Sequence, residues 1–243
     1  MAEKTQKIVV IGTGYVGLPL AIMLARSGHQ VVGVDIEENI VKAINEGMLH
    51  LAEDEMKQIF HEPAVRQNLR AQNKPCEADV FIISVPTPVD QRKMVADLSM
   101  VASAAESMLP FLRKGNLVVL ESTVPPLTCR NLITPMIERT GLKVGEDVLV
   151  CHCPERILPG EVFREIVNDD RIIGGVDRKS ALAAKEIYGS FVKGSLYLTD
   201  DVTAELAKLM ENTYRDVNIA LANEIAAVAE GLGVNPMEAI ALA

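Results

Sequence analysis

The sequence predicts an α/β fold with a doubly wound, mainly parallel sheet, followed by a long helix that begins an all-α domain. Three observations lead to this prediction. Short apolar runs alternate with helical patterns through the first 200 residues, a glycine-rich turn joins the first run to the first helix, and residues 200–230 include neither proline nor glycine. Apolar strands alternating with helices are typical of a parallel sheet covered on both faces.

The individual elements follow from apolar runs and from the residues that stop them. Strands are expected where β-branched residues cluster, at 7–11, 31–34, 80–85, 117–120, 147–151, 171–173 and 195–198. Helices are expected at 15–27, 37–46, 53–60, 98–112, 127–139, 177–188 and 200–230. A last helix is expected to begin at Asn235-Pro236, because asparagine is a good capping residue and proline favours the first helical position.

Composition excludes several classes of function. Thirty-three acidic residues against 24 basic ones give a net charge of −9, which disfavours nucleic-acid binding and anionic membranes. Four cysteines in 243 residues do not suggest a disulfide scaffold, so a cytoplasmic location is expected. Residues 8–25 are uncharged and resemble a signal peptide or a short membrane span. Three glycines and a proline interrupt this run, so neither targeting nor membrane insertion is predicted.

A dinucleotide-binding turn is indicated at Gly12-Thr13-Gly14-Tyr15-Val16-Gly17. The turn follows a predicted strand, opens a helix, and precedes Asp35 at the end of the next strand, which is the Rossmann-like fingerprint. The helix N-terminus would hold a diphosphate, and Asp35 would accept hydrogen bonds from a ribose and repel a 2′-phosphate. The pattern predicts NAD rather than NADP; a glycine turn without a ligand is the alternative. A domain boundary is placed between an NAD-binding domain, 1–199, and a helical domain, 200–243.

Polar residues follow the next two buried strands. Thr87 follows one, and Glu121 and Thr123 follow the other, at the sheet edge where ligands bind in open α/β folds. We expect these side chains to face the cofactor. Ordinary turn chemistry at strand ends is the alternative explanation.

Two further groups of polar residues carry less specific signals. Cys151-His152-Cys153 has a Cys-x-Cys spacing, but no matching second pair, so no metal site is predicted. Glu155 follows the same strand and is placed for acid–base work, or it is a loop glutamate paired with Arg156. On the long helix, three polar residues at i, i+4 and i+7 share one face, which binds an anionic substrate or is merely solvated. They are Lys208, Asn212 and Arg215.

Taken together, these segments resemble the nucleotide-sugar 6-dehydrogenases, the UDP-glucose/GDP-mannose dehydrogenase family. The matching blocks span almost the whole chain and read GTGYVGLPLA, SVPTP, ESTVPP, CPERILPG and ELAKLMENTYRDVNIALANE. Pro159 stands where the UDP-glucose enzymes usually have a second glutamate. With the segment 168–175, NDDRIIGG, this favours the subgroup that acts on UDP-N-acetyl-D-mannosamine over UDP-glucose or other UDP-N-acetylhexosamines.

The resemblance implies oxidation of a sugar C6 alcohol to a carboxylate with two NAD, through an aldehyde and a cysteine thioester. It implies that the cofactor is held by Gly12, Gly14, Tyr15, Val16, Gly17, Asp35, Thr87 and Thr123. The substrate would be held by Arg156, Ile157, Lys208, Asn212 and Arg215. Lys208 with Asn212 would stabilise the oxyanions, and Glu155 would serve thioester hydrolysis.

The resemblance also implies a homodimer formed through the 200–230 helix. The family's nucleophilic cysteine lies in a downstream G-x-C-x-x-x-D motif, and none of Cys76, Cys129, Cys151 and Cys153 lies in one. We therefore expect a fragment that binds NAD without completing turnover. Two alternatives are a 3-hydroxyacid-type or 6-phosphogluconate-type dehydrogenase and a non-catalytic NAD-binding module with a dimerisation helix.

Overall fold

The computed structural model describes residues 5–49, 54–156 and 161–242. The chain divides into two compact units, Met1–Glu205 and Leu206–Ala243. The first holds a sheet flanked by helices. The second consists of most of a long helix and a short helix after it.

Strands and helices alternate through the first unit. The strands are β1 (Lys7–Ile11), β2 (Gln30–Val34), β3 (Leu69–Gln72), β4 (Val80–Ile83), β5 (Val89–Asp90), β6 (Val95–Ala96), β7 (Leu117–Leu120), β8 (Leu149–His152), β9 (Arg171–Gly175) and β10 (Leu196–Asp200). The helices are α1 (Gly17–Arg26), α2 (Glu38–Glu46), α3 (Asp54–Phe60), α4 (Pro63–Asn68), α5 (Ser99–Met108), α6 (Thr134–Glu138), α7 (Val162–Asn168), α8 (Arg178–Tyr188), α9 (Asp201–Leu232) and α10 (Pro236–Leu242). A 3₁₀ turn, Leu109–Phe111, follows α5, and a π-helical turn, Cys129–Ile133, leads into α6.

Eight of the strands form one sheet in the order β10-β9-β8-β7-β4-β1-β2-β3. Every neighbouring pair is parallel except β8 and β9, which are antiparallel. The predicted doubly wound, mainly parallel sheet is therefore confirmed. The antiparallel step brings the start of β9 to the edge where β7 and β8 end, which matters for the site described below.

The core lies on both faces of this sheet. Side chains of β1 alternate between two apolar clusters, with Ile8 and Val10 in one and Val9 and Ile11 in the other. Helices α1 and α8 pack on the first face, and α5 and α6 pack on the second. A strand buried on both faces reads as a continuous apolar run, which explains why these strands are visible in the sequence.

Five short elements were not predicted: β3, α4, α7 and the two strands of the β5–β6 hairpin. Strand β3 has the sequence Leu-Arg-Ala-Gln at the sheet edge, so its pattern is not apolar. The Asn45 side chain stabilises this edge, because it accepts from the Ala71 amide and donates to the Ala71 carbonyl, both at 2.9 Å. Such a side-chain-to-backbone pairing covers an edge without leaving a local sequence signal.

The first turn of α9 is anchored to the segment before α6. Asp200 caps the helix by accepting from the Thr203 amide at 3.0 Å. Asp201 is buried and forms an ion pair with Arg130, at 2.8 Å. The Glu205 carboxylate accepts from the backbone amide of Cys129 at 2.8 Å. Among the described residues, no helix is long and apolar enough to cross a membrane.

Candidate functional site

The glycine turn after β1 has three glycines with three different surroundings. Gly12 adopts φ +94°, and a Cβ there would lie 2.3 Å from the Ser84 carbonyl oxygen. A Cβ on Gly17 would lie 1.9 Å from the Gly12 carbonyl oxygen, so these two glycines are required for packing. A Cβ on Gly14 would meet no atom within 4 Å. The turn is therefore closed on the protein side and open at Gly14, as a diphosphate approaching the backbone requires.

Asp35, at the end of β2, is held in place by its neighbours. Its Oδ2 accepts hydrogen bonds from the Thr13 amide and hydroxyl, each at 2.9 Å. Its Oδ1 accepts from the Glu37 amide at 3.1 Å. Sequence analysis treated Thr13 as a variable position of the glycine pattern. In the structure, Thr13 is a buried residue that orients the Asp35 carboxylate, the group predicted to bind a ribose.

The two polar segments after β4 and β7 are joined to each other. The Thr87 hydroxyl donates to the Thr123 carbonyl at 2.7 Å. The Ser122 hydroxyl accepts from the Val85 amide at 2.9 Å and donates to the Val85 carbonyl at 2.7 Å. These bonds fix the end of β4 against the end of β7. The sequence placed both segments at one edge of the sheet but gave no sign of this connection.

A cleft of about 690 Å³ runs along this edge of the sheet. Of the predicted cofactor residues, its walls include Gly12, Gly14, Tyr15, Val16, Asp35, Thr87 and Thr123. Glu121 and Glu155 line it as well. Gly17 is not among the residues that line the cleft. Its lack of a Cβ allows the start of α1 to pack against Gly12 and Ser84. The structure thus brings Glu155 into the same cleft as the predicted cofactor residues.

Glu121, which lines the cleft, belongs to a buried ion pair. Glu121 is 1% exposed and accepts a hydrogen bond from Arg171, Nη1 to Oε1, at 2.9 Å; Arg171 is 4% exposed. The guanidinium of Arg171 also lies 4.8 Å from the ring centroid of Tyr188. Burial raises the pKa of the Glu121 carboxyl to about 7, because desolvation outweighs the opposing effect of the Arg171 charge.

Arg171 is the partner of Glu121 that the sequence analysis did not single out. Its segment was used for a predicted strand, 171–173, and to identify a subgroup. Because β9 is antiparallel to β8, Arg171 begins its strand beside the ends of β7 and β8 instead of at the opposite edge. A reversal of one strand at the end of a parallel sheet has no signature in apolar periodicity.

The predicted substrate residues are less completely described. Arg156 is half-buried after β8, whereas Ile157 and Pro159 lie outside the described residues. Lys208, Asn212 and Arg215 lie on α9 within the second unit, at the helical spacing that places them on one face. Arg215 forms a long ion pair with Glu211, at 3.5 Å. Their role in substrate binding stays a prediction.

Three of the four cysteines have the surroundings of structural residues. Cys129, Cys151 and Cys153 are buried, and burial raises the pKa of each thiol, to about 11 for Cys153. Thiols in such surroundings are poor nucleophiles at neutral pH. Within the described ranges, no three His, Cys, Asp or Glu side chains could together hold a metal ion.

This geometry fits a dinucleotide. The open side of Gly14 leaves room for a diphosphate, Asp35 is oriented on one side of it, and the paired ends of β4 and β7 form the wall on the other. The cleft lies at the carboxyl ends of the central strands, the general ligand position of such sheets.

Comparison with known proteins agrees with this assignment. Residues 6–192 match the UDP-glucose/GDP-mannose dehydrogenase family, NAD binding domain, and residues 202–243 match the central domain of the same family. A UDP-N-acetyl-D-mannosamine dehydrogenase from Methanocaldococcus jannaschii is 51% identical over 241 residues, which cover 98% of this chain and 55% of that protein. An NDP-N-acetyl-D-galactosaminuronic acid dehydrogenase from Ralstonia nicotianae is 44% identical, over 97% of this chain and 57% of that protein.

A solved structure of a UDP-D-ManNAc dehydrogenase from Pyrococcus horikoshii superposes with a TM-score of 0.93 at 46% identity. The match covers 98% of this chain and 57% of that one. The chain thus spans little more than half the length of the relatives that it matches. Because the two family models match nearly the whole chain, the alternative assignment to 3-hydroxyacid-type or 6-phosphogluconate-type dehydrogenases is wrong. The cleft lies within the residues that match an NAD binding domain, and the chain belongs to the UDP-glucose/GDP-mannose dehydrogenase family.

Proposed function

We propose that the whole protein oxidises the C6 alcohol of UDP-N-acetyl-D-mannosamine to the carboxylate, with NAD as the oxidant. The observation that carries this proposal is the continuous cleft that joins the NAD-binding turn to Glu155. Relatives named as UDP-N-acetyl-D-mannosamine dehydrogenases, 45–51% identical over about 98% of the chain, support the choice of sugar. The Ralstonia relative at 44%, named for an NDP-N-acetyl-D-galactosaminuronic acid, makes a nucleotide-linked N-acetylgalactosamine the second candidate.

The division of labour follows from the positions of the residues. NAD supplies the acceptor for hydride from C6. Glu155, half-buried on the cleft wall, would activate the water that releases the carboxylate product. Lys208 and Asn212 would stabilise negative charge on the C6 oxygen, since an ammonium and an amide are suitable donors to an oxyanion. Arg156, Ile157 and Arg215 would hold the substrate.

The long helix supports a further proposal, a homodimer. Its apolar residues recur at helical spacing and are largely exposed in the single chain: Leu206, Met210, Val217, Leu221, Ile225 and Val228. A contiguous stripe of exposed apolar residues usually marks an interaction surface.

We also propose a cytoplasmic location, because all four cysteines are unpaired thiols, which suits a reducing compartment.

An activity assay of the whole protein tests the proposal. We expect two NADH per sugar from UDP-N-acetyl-D-mannosamine, and slower reaction with UDP-N-acetylgalactosamine, UDP-N-acetylglucosamine and UDP-glucose. Two equivalents are required because conversion of an alcohol to a carboxylate removes four electrons, and each NAD accepts two. One NADH per sugar would contradict the acid product. No NADH from any of these sugars would favour a non-catalytic NAD-binding module.

A further inference from the structure

The strand order predicts which end of the cleft receives the nicotinamide. The diphosphate site lies at the end of β1, and Asp35, the ribose-binding residue, lies at the end of β2 on one side. The rest of the dinucleotide must therefore extend to the other side of β1, over the ends of β4 and β7. Glu121 follows β7 directly and lines the cleft there.

The two carboxylate oxygens of Glu121 differ in their surroundings. Oε1 accepts from Arg171, whereas Oε2 is buried and has no partner with good hydrogen-bond geometry among the described residues. The Ser84 hydroxyl lies close enough to the carboxyl to lower its pKa, but it carries no charge. The negative charge of Glu121 is therefore compensated mainly by Arg171, next to the part of the cleft assigned to the nicotinamide.

The charges around Glu121 favour a cation in the cleft only when Glu121 is ionised. Arg171 on β9 carries a permanent positive charge, which ionised Glu121 neutralises. Cys153 after β8 and Tyr188 on α8 also face this carboxyl, but burial raises the pKa of both groups above the neutral range. Glu155 is the other acidic neighbour. Without the Glu121 charge, the buried guanidinium would repel a cation placed in this part of the cleft.

We propose that Glu121 selects the oxidised cofactor, because its carboxylate faces the nicotinamide ring, which is positively charged in NAD⁺ and neutral in NADH. This inference rests on the proposed function, in which NAD⁺ must bind and NADH must leave. The pair Glu121–Arg171 then acts as a unit: Arg171 fixes the carboxylate, and the carboxylate attracts the cationic ring.

Binding of NAD⁺ should be coupled to the loss of a proton from Glu121. The Glu121 carboxyl titrates near pH 7, and a neighbouring cation favours its ionised form. Binding of NAD⁺ therefore releases the carboxyl proton to solvent, whereas binding of NADH does not. Affinity for NAD⁺ should rise as the pH increases from 6 to 8, and affinity for NADH should stay nearly constant over that range.

Titration of the chain with three ligands tests the proposal. NAD⁺ and NADH report on the charge of the ring, and ADP-ribose, which lacks nicotinamide, reports on the rest of the site. We expect Glu121→Gln to weaken NAD⁺ binding about tenfold at pH 8, a modest part of the attraction between two close unit charges. NADH and ADP-ribose should bind within about twofold of the wild type, and the pH dependence for NAD⁺ should disappear.

Two further variants serve as a fallback and as a control. If Glu121→Gln does not fold, Glu121→Gln combined with Arg171→Met removes both charges and should also lose the preference for NAD⁺. Glu106→Gln, at an exposed carboxylate outside the cleft, should keep both the preference and its pH dependence. The proposal is overturned if Glu121→Gln keeps the wild-type ratio of affinities, or if the pH dependence for NAD⁺ persists in Glu121→Gln. Failure of all three ligands to bind the wild type would instead contradict the proposed function.

Discussion

Replacement of Gly14 by alanine should reduce NAD affinity about a hundredfold and leave the free energy of unfolding within about 0.5 kcal/mol of the wild type. A methyl group at this position meets no protein atom within 4 Å, so the folded chain tolerates it. The same methyl group projects into the cleft where the diphosphate must approach the backbone. Calorimetric titration with NAD, together with thermal unfolding, measures both quantities.

Two other glycines serve as controls. Gly231→Ala also adds a methyl group with no atom within 4 Å, but on α9, so it should leave NAD affinity unchanged and stabilise the helix by up to about 1 kcal/mol. Gly12→Ala should destabilise the chain by about 2–3 kcal/mol or more, because it strains a residue at φ +94° and brings a Cβ to 2.3 Å from the Ser84 carbonyl oxygen. If Gly14→Ala binds NAD normally, the diphosphate does not lie at this turn.

Replacement of Arg171 by alanine should destabilise the folded chain by about 3–5 kcal/mol at pH 8, since it leaves the buried Glu121 charge without a partner. The loss should be smaller at pH 6. The pKa of Glu121 is already raised to about 7, so below that pH the carboxyl is largely protonated and no longer needs a counter-charge. Urea denaturation at the two pH values measures the difference.

A matched control for this variant is Arg139→Ala. Arg139 pairs with Glu106 at 2.8 Å, nearly the same distance, but both side chains are 63% exposed. Its removal should cost less than about 1 kcal/mol and show little dependence on pH, because water solvates the remaining carboxylate. Equal losses for the two arginines would show that the Glu121–Arg171 pair is not the buried, desolvated unit described here.

The glycine turn and the central strands could be predicted because their signals are local. Each buried strand is a short apolar run, and the turn has a fixed spacing between Gly12 and Gly17 that follows from its packing. The cofactor residues after β4 and β7 could be placed because carboxyl ends of parallel strands meet at one edge. The spacing of the glycines and the apolar runs of the strands are therefore enough to predict where the cleft lies.

The remaining parts of the site depend on contacts between distant segments. Arg171 reaches Glu121 across 50 residues because one strand of the sheet is reversed. The hydroxyl of Thr13 reaches Asp35 across 22 residues, and the Thr87 hydroxyl reaches Thr123 across 36. Nothing in the local sequence distinguishes these side chains from ordinary polar residues of turns. Only the tertiary structure shows that they orient groups at the predicted cofactor cleft.

The most direct test of this account is a titration of the chain with NAD and NADP, with Asp35→Ala as the comparison. We expect one NAD per chain and at least tenfold weaker binding of NADP, because the carboxylate held by Thr13 repels a 2′-phosphate. In Asp35→Ala, the difference between the two cofactors should shrink, mainly through loss of NAD affinity. Equal binding of NAD and NADP to the wild type, or no binding of NAD, would contradict the assignment of the cleft.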